Sequence, residues 1–223
     1  MWSAADVRGT AASVAPWWAL LTADLPADVV ADLHAPGMEP ASLDEVQGAL
    51  AALSAAGRQV TARGYGMPAQ TGRVTGLSLG TDGLPKLPVG TADVTAAGLV
   101  GDRQKNRKHH GRVWQALCLW SAEVIHALRA EGHPVFPGAC GENMLISDVD
   151  WAALRPGTRL RIGSALAEVS MPTVPCKQIR PYFADGAIGR VAHERYPGSS
   201  RWYATVVEPG TVAVSDVVAV EPG

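Results

Sequence analysis

Across the stretch Gly64-Tyr65-Gly66-Met67-Pro68-Ala69-Gln70 the spacing of apolar residues changes from helical to strand-like. No other feature restricts the fold as much, because a helical period and a strand period bury different faces. Upstream, Leu25, Val29 and Leu33 recur at a spacing of four and precede Pro36-Gly37. Trp17, Trp18, Leu20 and Leu21 follow Pro16, a residue suited to a first helical turn, with Ser13 as the expected cap. The clearest helix start is Ser42-Leu43-Asp44-Glu45, a capping box in which Ser42 and Glu45 satisfy backbone donors reciprocally. Val46, Leu50 and Leu53 follow on one face, and Gly57 is expected to stop the helix.

Downstream the apolar runs are short. Val74, Leu77 and Leu79 open the series, and Lys86-Leu87-Pro88-Val89 and Ala92-Asp93-Val94-Thr95 continue it. Val113 to Trp120 reads as an apolar strand, after which Ser121 caps a helix carrying Val124, Ile125 and Leu128 and ended by Gly132. Asp148 to Leu154 is expected to form one helical turn. Leu160 to Ile162 and Ala165 to Val169 flank Gly163-Ser164, a two-residue hairpin signal. Tyr203 to Val207 and Thr211 to Val214 flank Glu208-Pro209-Gly210, where Pro presets one turn dihedral and Gly is expected to supply a positive one. Val217 to Val220 is a final strand. Many short strands with regular turns predict a barrel or a sandwich.

Charge divides the chain in the same place. Residues 1–60 hold seven acids and two bases, whereas residues 61–223 hold fourteen acids and seventeen bases. The expected organisation is a helical segment over 1–63, a linker over 64–70 and a β domain over 71–223. The helical segment is expected to pack as an appendage, with the alternative that Trp17 and Trp18 form a docking patch for a partner. A net charge of −2 points to no nucleic acid partner, and no stretch approaches the roughly 18 apolar residues of a membrane span. The first basic residue, Arg8, follows Asp6, so no signal peptide is expected. The three cysteines, Cys118, Cys140 and Cys176, include no CxxC pair, which argues against a disulfide framework or structural zinc and for a cytoplasmic location.

Three segments carry chemistry. Cys176 lies in Met171-Pro172-Thr173-Val174-Pro175-Cys176-Lys177, with Arg180 close behind. Two prolines stiffen that loop, and a thiol held beside cations favours the thiolate, a ligand for soft metals. Cys118, within Leu117-Cys118-Leu119, reads as a small buried hydrophobe, and Cys140 as intermediate. Gly141-Glu142-Asn143 follows Pro137-Gly138 and forms a polar turn able to hydrogen-bond a ligand. Arg103, Lys105, Arg107, Lys108 and Arg112, with His109 and His110, form a cation cluster suited to a phosphate or other anion. The tract has no interleaved aromatics for RNA and no HxxxH or HExxH spacing for zinc.

In that order the segments resemble the MOSC domain, named for the C-terminal domain of molybdenum cofactor sulfurases, over roughly residues 70–221. The residues carrying the likeness are Lys86 to Val89, Gly98-Leu99-Val100-Gly101-Asp102-Arg103, His109-His110-Gly111, Pro137 to Asn143, Pro172 to Cys176, and Trp202-Tyr203 with Val206. Stand-alone bacterial members, including those that reduce N-hydroxylated purines, are nearest in style. The resemblance implies a mainly β, barrel-like MOSC fold with a few helices, α+β once the N-terminal segment is counted. It also implies a molybdenum cofactor, a pterin dithiolene carrying the metal, and calls for no pyridoxal phosphate. Its cysteine ligand falls on Cys176, its polar turn on Gly141, Glu142 and Asn143, and its histidine–glycine step on His110 and Gly111. Lys108, Lys177 and Arg180 would suit the phosphate and pterin, and Glu142 or His110 would deliver protons. The chain departs from the family pattern at Thr173, where an arginine is common, at Arg112 in place of a glycine, and at Cys140, where a bulky residue is usual. The helical extension that some bacterial relatives place after the barrel is not expected, since the sequence stops at Gly223.

The function implied is reduction of N-hydroxylated substrates (hydroxylamine, amidoxime or N-hydroxylated base type) by a molybdenum enzyme. A separate electron donor, a flavoprotein, is expected because no nucleotide, flavin, haem or iron–sulfur signature is evident. A non-catalytic carrier of the cofactor or its sulfur would use the same pocket. A cofactor-free barrel for protein contacts is a further alternative.

Overall fold

The computed structural model describes residues 14–103 and 111–221. Seven strands close into a barrel. They are β1 (Thr71–Leu79), β5 (Leu117–Ser121), β6 (Met144–Ser147), β7 (Arg159–Ile162), β8 (Ala165–Pro172), β9 (Trp202–Glu208) and β11 (Val217–Glu221). Around the barrel the order is β11-β7-β8-β9-β5-β6-β1, and β1 pairs back onto β11 through Thr71↔Ala219 to Arg73↔Val217. Closure leaves no open edge among these strands. All the pairs are antiparallel except β5–β6, whose connection runs through a helix, Ala122–Ala130. β2 (Leu87–Val89) extends the far end of β1, and β3 (Thr91–Thr95), β4 (Gly98–Leu99) and β10 (Gly210–Ala213) form a small separate sheet. Trp202, Leu77, Leu119, Leu160 and Ile162 are among the core side chains of the barrel strands, each 1% exposed or less, and Trp120, next to Leu119 and on the opposite face of its strand, is as deeply buried.

The N-terminal helices are α1 (Ala15–Thr22), α2 (Ala27–Ala31) and α3 (Leu43–Val60); the helix between β5 and β6 is α4. The capping box forms as expected: Glu45 N donates to Ser42 Oγ (3.2 Å), and the Glu45 carboxylate accepts from Ala41 N (2.9 Å). Ser121 caps α4 through the amide of Val124 (3.2 Å). Ser13 lies outside the described residues.

A second core lies between α1, α3 and the outside of the barrel, where Trp17, Leu21, Leu50 and Leu53 pack with Trp114 and Met171. This explains β8, in which all eight residues are buried. One face points into the barrel and the other lies under α3, a pattern of strands covered on both sides. Glu168 on that outer face binds Arg58 of α3 (2.6 Å) and Arg159 of β7 (3.1 Å).

The fold departs from the sequence expectations at several points. Gly57 does not stop α3, which runs on to Val60 and into a π turn, Thr61–Tyr65. Its role is close approach, since a Cβ there would collide with the Pro156 carbonyl. Trp17 is buried against His193 rather than offered as a docking patch. The run Val113 to Trp120 begins as a 3-10 turn, Val113–Gln115, before β5. Asp148 to Leu154 forms turns rather than a helical turn, with Asp148 at a positive φ of 63°. β9 and β10 are not hairpin partners: β9 joins the barrel and β10 pairs with β3. Gly210 has no positive φ, and its missing Cβ instead lets it lie against Ser164 and Ala165.

His193 joins the helical segment to the barrel. Its ring sits edge-on between Trp17 (5.9 Å) and Trp202 (5.4 Å), and Nδ1 lies 3.1 Å from Ser200 Oγ. Burial first, then the Arg155 charge, lowers its pKa from the ordinary 6.5. The folded state therefore resists protonation more than the unfolded chain does. Stability from this group is complete above pH 6.5 and is lost as pH falls from there through the lowered folded value. Denaturant midpoints at pH 8, 6 and 5 are expected to fall with pH in the wild type and to fall less in His193→Phe. For Gly57→Ala, helix propensity alone predicts a gain of about 1 kcal/mol. The collision with Pro156 outweighs it, so urea unfolding is expected to show a net loss of about 1–2 kcal/mol.

Candidate functional site

A pocket opens at the end of the barrel where the loops after β1, β4, β8 and α4 meet. Cys118, Cys140 and Cys176 all line it, together with Arg103, Gln115, Arg201 and Tyr203. Among the described residues no aspartate or glutamate is in its wall.

Asp102, in the Gly98 to Arg103 motif, holds the loops together. Its side chain is 4% exposed. Oδ1 accepts from the Gly80 amide (2.7 Å) at the end of β1, and Oδ2 accepts from Lys86 Nζ (2.7 Å) and Asn143 Nδ2 (3.0 Å). Lys86 lines the pocket, but its charge is engaged by this carboxylate.

Asn143 bridges two strands. Its backbone amide donates to Cys118 O (2.6 Å) and its Oδ1 accepts from Cys118 N (3.0 Å), while its carbonyl accepts from Ser78 N (2.8 Å). Gly141 has a positive φ of 86° and forms part of the wall. Glu142 faces away from the pocket. Its carboxylate accepts from the amides of Gly138 (2.6 Å) and Cys140 (3.2 Å), closing the turn on itself. Burial pushes its carboxyl pKa up, against the pull of those amides and of Arg201.

Cys176 follows β8 and precedes a 3-10 helix, Lys177–Tyr182. It is partly exposed, whereas Cys118 and Cys140 are buried. Burial raises both buried thiols, Cys140 to about 12, despite the nearby Arg201 charge. Lys177 and Arg180 are exposed and are not in the wall; Arg180 lies over Gly186, and Gln178 reaches the wall instead. Gly111 is exposed and does not line the pocket. Lys108 and His110, with Lys105, Arg107 and His109, lie outside the described residues.

Sequence reasoning did not single out Arg201. It is 6% exposed and enters the wall from the start of β9. Its carbonyl accepts from Thr173 N (2.8 Å), so the two are neighbours across β8 and β9. A cation thus reaches the pocket beside the position where the resemblance expected one at 173. The signal was a lone charge within the otherwise uncharged run Ser199 to Val207. Cys118, read as a small buried hydrophobe, is buried and also forms part of the wall.

Two buried polar atoms in the wall residues, Gln115 Oε1 and Arg201 Nε, have no hydrogen-bond partner among the described residues. Buried polar atoms are rarely left so, and here an acceptor and a cationic donor both belong to one pocket. A partly exposed soft thiol, a positive wall and unsatisfied polar atoms match an anionic organic cofactor bearing a soft metal.

The sequence model of the MOSC domain matches residues 106–219, about half of the chain. Protein YiiM of Escherichia coli is 28% identical over 159 residues, covering 67% of this chain and 68% of that protein. Its crystal structure superimposes with a TM-score of 0.51 at 24% identity, over 67% of this chain and 69% of that one. The YUAD protein of Bacillus subtilis gives a TM-score of 0.58 at 17% identity, over 70% of this chain and 98% of that one. These two structural likenesses establish the fold. Among the described residues no helix is long and apolar enough to cross a membrane.

The thiols are expected to differ in reactivity. Under native conditions at pH 8, iodoacetamide is expected to label Cys176, with Cys118 and Cys140 modified only in denaturant, as read by peptide mass spectrometry. Native labelling of Cys140 as fast as Cys176 would contradict the burial described here.

Proposed function

The chain belongs to the MOSC domain family, and on that premise we propose that it binds a molybdenum cofactor and reduces N-hydroxylated compounds. The observation that carries this reading is the position of Cys176: a partly exposed sulfur donor in the wall of a pocket whose described residues include cations and no carboxylate. Among the described residues no group of three or more His, Cys, Asp or Glu side chains is arranged to hold a metal ion. Cys176 therefore suits a metal that brings its other donors with it, as a dithiolene cofactor does.

When bound, the cofactor supplies the two-electron chemistry that breaks the N–O bond. The protein's part is to bind and orient. Cys176 is the proposed metal ligand, on a backbone stiffened by Pro172 and Pro175. Gly141 and Asn143 shape the adjoining wall, and Glu142 fixes their turn through the Gly138 and Cys140 amides. Arg103 and the basic tract behind it, including Lys108, form the proposed seat for the cofactor's phosphate, with Lys177 and Arg180 on the neighbouring loop. His110 is the proposed proton donor. In the overall reaction a hydroxylamine takes up two electrons and two protons and yields an amine and water. The electrons come from a separate donor protein, for which a flavoprotein is the proposed class.

The test is direct. Protein from a cofactor-competent host is expected to contain molybdenum and to turn over a hydroxylamine-type substrate with an artificial reductant. Cys176→Ala is expected to lose metal by about tenfold or more. Equal molybdenum in both proteins would overturn the ligand assignment. Metal without turnover on any N-hydroxylated compound would favour a carrier.

A further inference from the structure

The Cys176 pocket holds a positive charge that no carboxylate among the described wall residues balances. Arg201 is buried, and its guanidinium donates to the Cys140 carbonyl while Nε has no partner among the described residues. Glu142 is an acid close enough to act on it, but its carboxylate bonds the backbone amides of Gly138 and Cys140 rather than the guanidinium, so it compensates the charge only from behind the wall. Burial works against the charge, and Cys118, Cys140, Tyr203 and Glu142 around it raise its pKa. A guanidinium held out of water with no directly bonded carboxylate is incompletely compensated, and an anion arriving at it from the pocket lowers that cost.

The arginine is also held in place. Trp120 Nε1 donates to Ser199 O (3.0 Å) and Trp151 Nε1 donates to Ser200 O (2.7 Å), so two buried indoles fix the two residues before it. Thr173 N fixes the carbonyl of Arg201 itself (2.8 Å). A preorganised cation gives up little freedom when it binds.

Among the described residues the wall has three cations, and they differ in availability. Lys86 is neutralised by Asp102. Arg103 is exposed and begins the basic tract, which suits the solvent-facing end of a large cofactor. Arg201 is buried, in a wall that also contains Leu84, Val174 and Ile179, surroundings that fit a compact group on a small organic molecule. The orphan acceptor Gln115 Oε1 in the same wall can take an N–H or O–H of that molecule.

We propose that Arg201 is a specificity-determining residue that selects substrates carrying a carboxylate. It holds that group while the N-hydroxylated end of the same molecule lies toward Cys176. This rests on the reading of the pocket given above, and binding can test it without turnover. Calorimetric titration of the full chain, purified from a cofactor-competent host, would compare benzoate with benzamide, which differ mainly in charge. Wild type is expected to prefer benzoate by about tenfold or more. Arg201→Gln is expected to lose the preference, and Arg201→Lys to keep part of it. Circular dichroism and thermal melting check the fold of each variant, and if the glutamine variant does not fold, the wild-type comparison and the lysine variant decide.

Equal affinity for benzoate and benzamide in the wild type, no measurable benzoate binding, or a preference unchanged in a folded Arg201→Gln would overturn the proposal. Molybdenum content separates two sources of the anion. Unchanged metal in Arg201→Gln supports the substrate assignment, whereas loss of metal in step with loss of benzoate binding assigns the anion to the cofactor and overturns it. A benzoate preference in protein without molybdenum or turnover would leave this subsite standing and remove the reductase reading. Turnover without the preference would do the reverse.

Discussion

The buried carboxylate of Asp102 is the junction on which the pocket depends. It receives the Gly80 amide, the Lys86 ammonium and the Asn143 side chain. The end of β1, the start of β2 and the turn after α4 are thereby held at fixed distances from one charge. Removing a buried partner of this kind leaves an ammonium without a counter-ion, which is among the most destabilising single changes a protein can suffer. Asn143 carries the constraint onward, since its backbone and side chain together bond Cys118 and Ser78. In this way a loop motif remote from Cys176 in sequence determines the shape of the wall that faces it.

The barrel and the helical segment are coupled through β8 and His193. β8 is buried on both faces, and Glu168 on its outer face is bound by Arg58 from α3. His193 has a tryptophan of α1 on one side and Trp202 of β9 on the other. Trp202 directly follows Arg201, so the packing of the helices reaches the strand that supplies the buried cation. The described part of the N-terminal segment thus contributes to the positioning of the site without lining it.

Local signals in the sequence were read well where they act locally. The capping residues Ser42 and Ser121 and the Gly163-Ser164 hairpin need only neighbours a few residues away, and the structure contains each of them. The glycines show the opposite case. Gly57 and Gly210 looked like stop and turn signals, yet both are points where backbone from a distant segment comes too close for a Cβ. Spacing along a chain carries no record of such an approach. The Glu208-Pro209-Gly210 turn misled for the same reason: β9 and β10 are adjacent in sequence but belong to different sheets.

The sequence by itself determined the mainly β character and the helical-to-strand division, because these follow from residue periodicity and from side chains that bond to their own backbone, while the barrel type came from the resemblance that its motifs carry in order. It also marked Cys176, through the prolines and cations around it. Only the tertiary structure decided what surrounds that thiol. Glu142 turns inward to two amides, Lys177 and Arg180 stay outside the wall, and Gln115 and Cys118 join it from one segment and Arg201 from another. The physical reason is that barrel closure, and not proximity along the chain, selects which side chains meet at its mouth, and buried polar atoms are then satisfied by whichever partners that closure brings within reach.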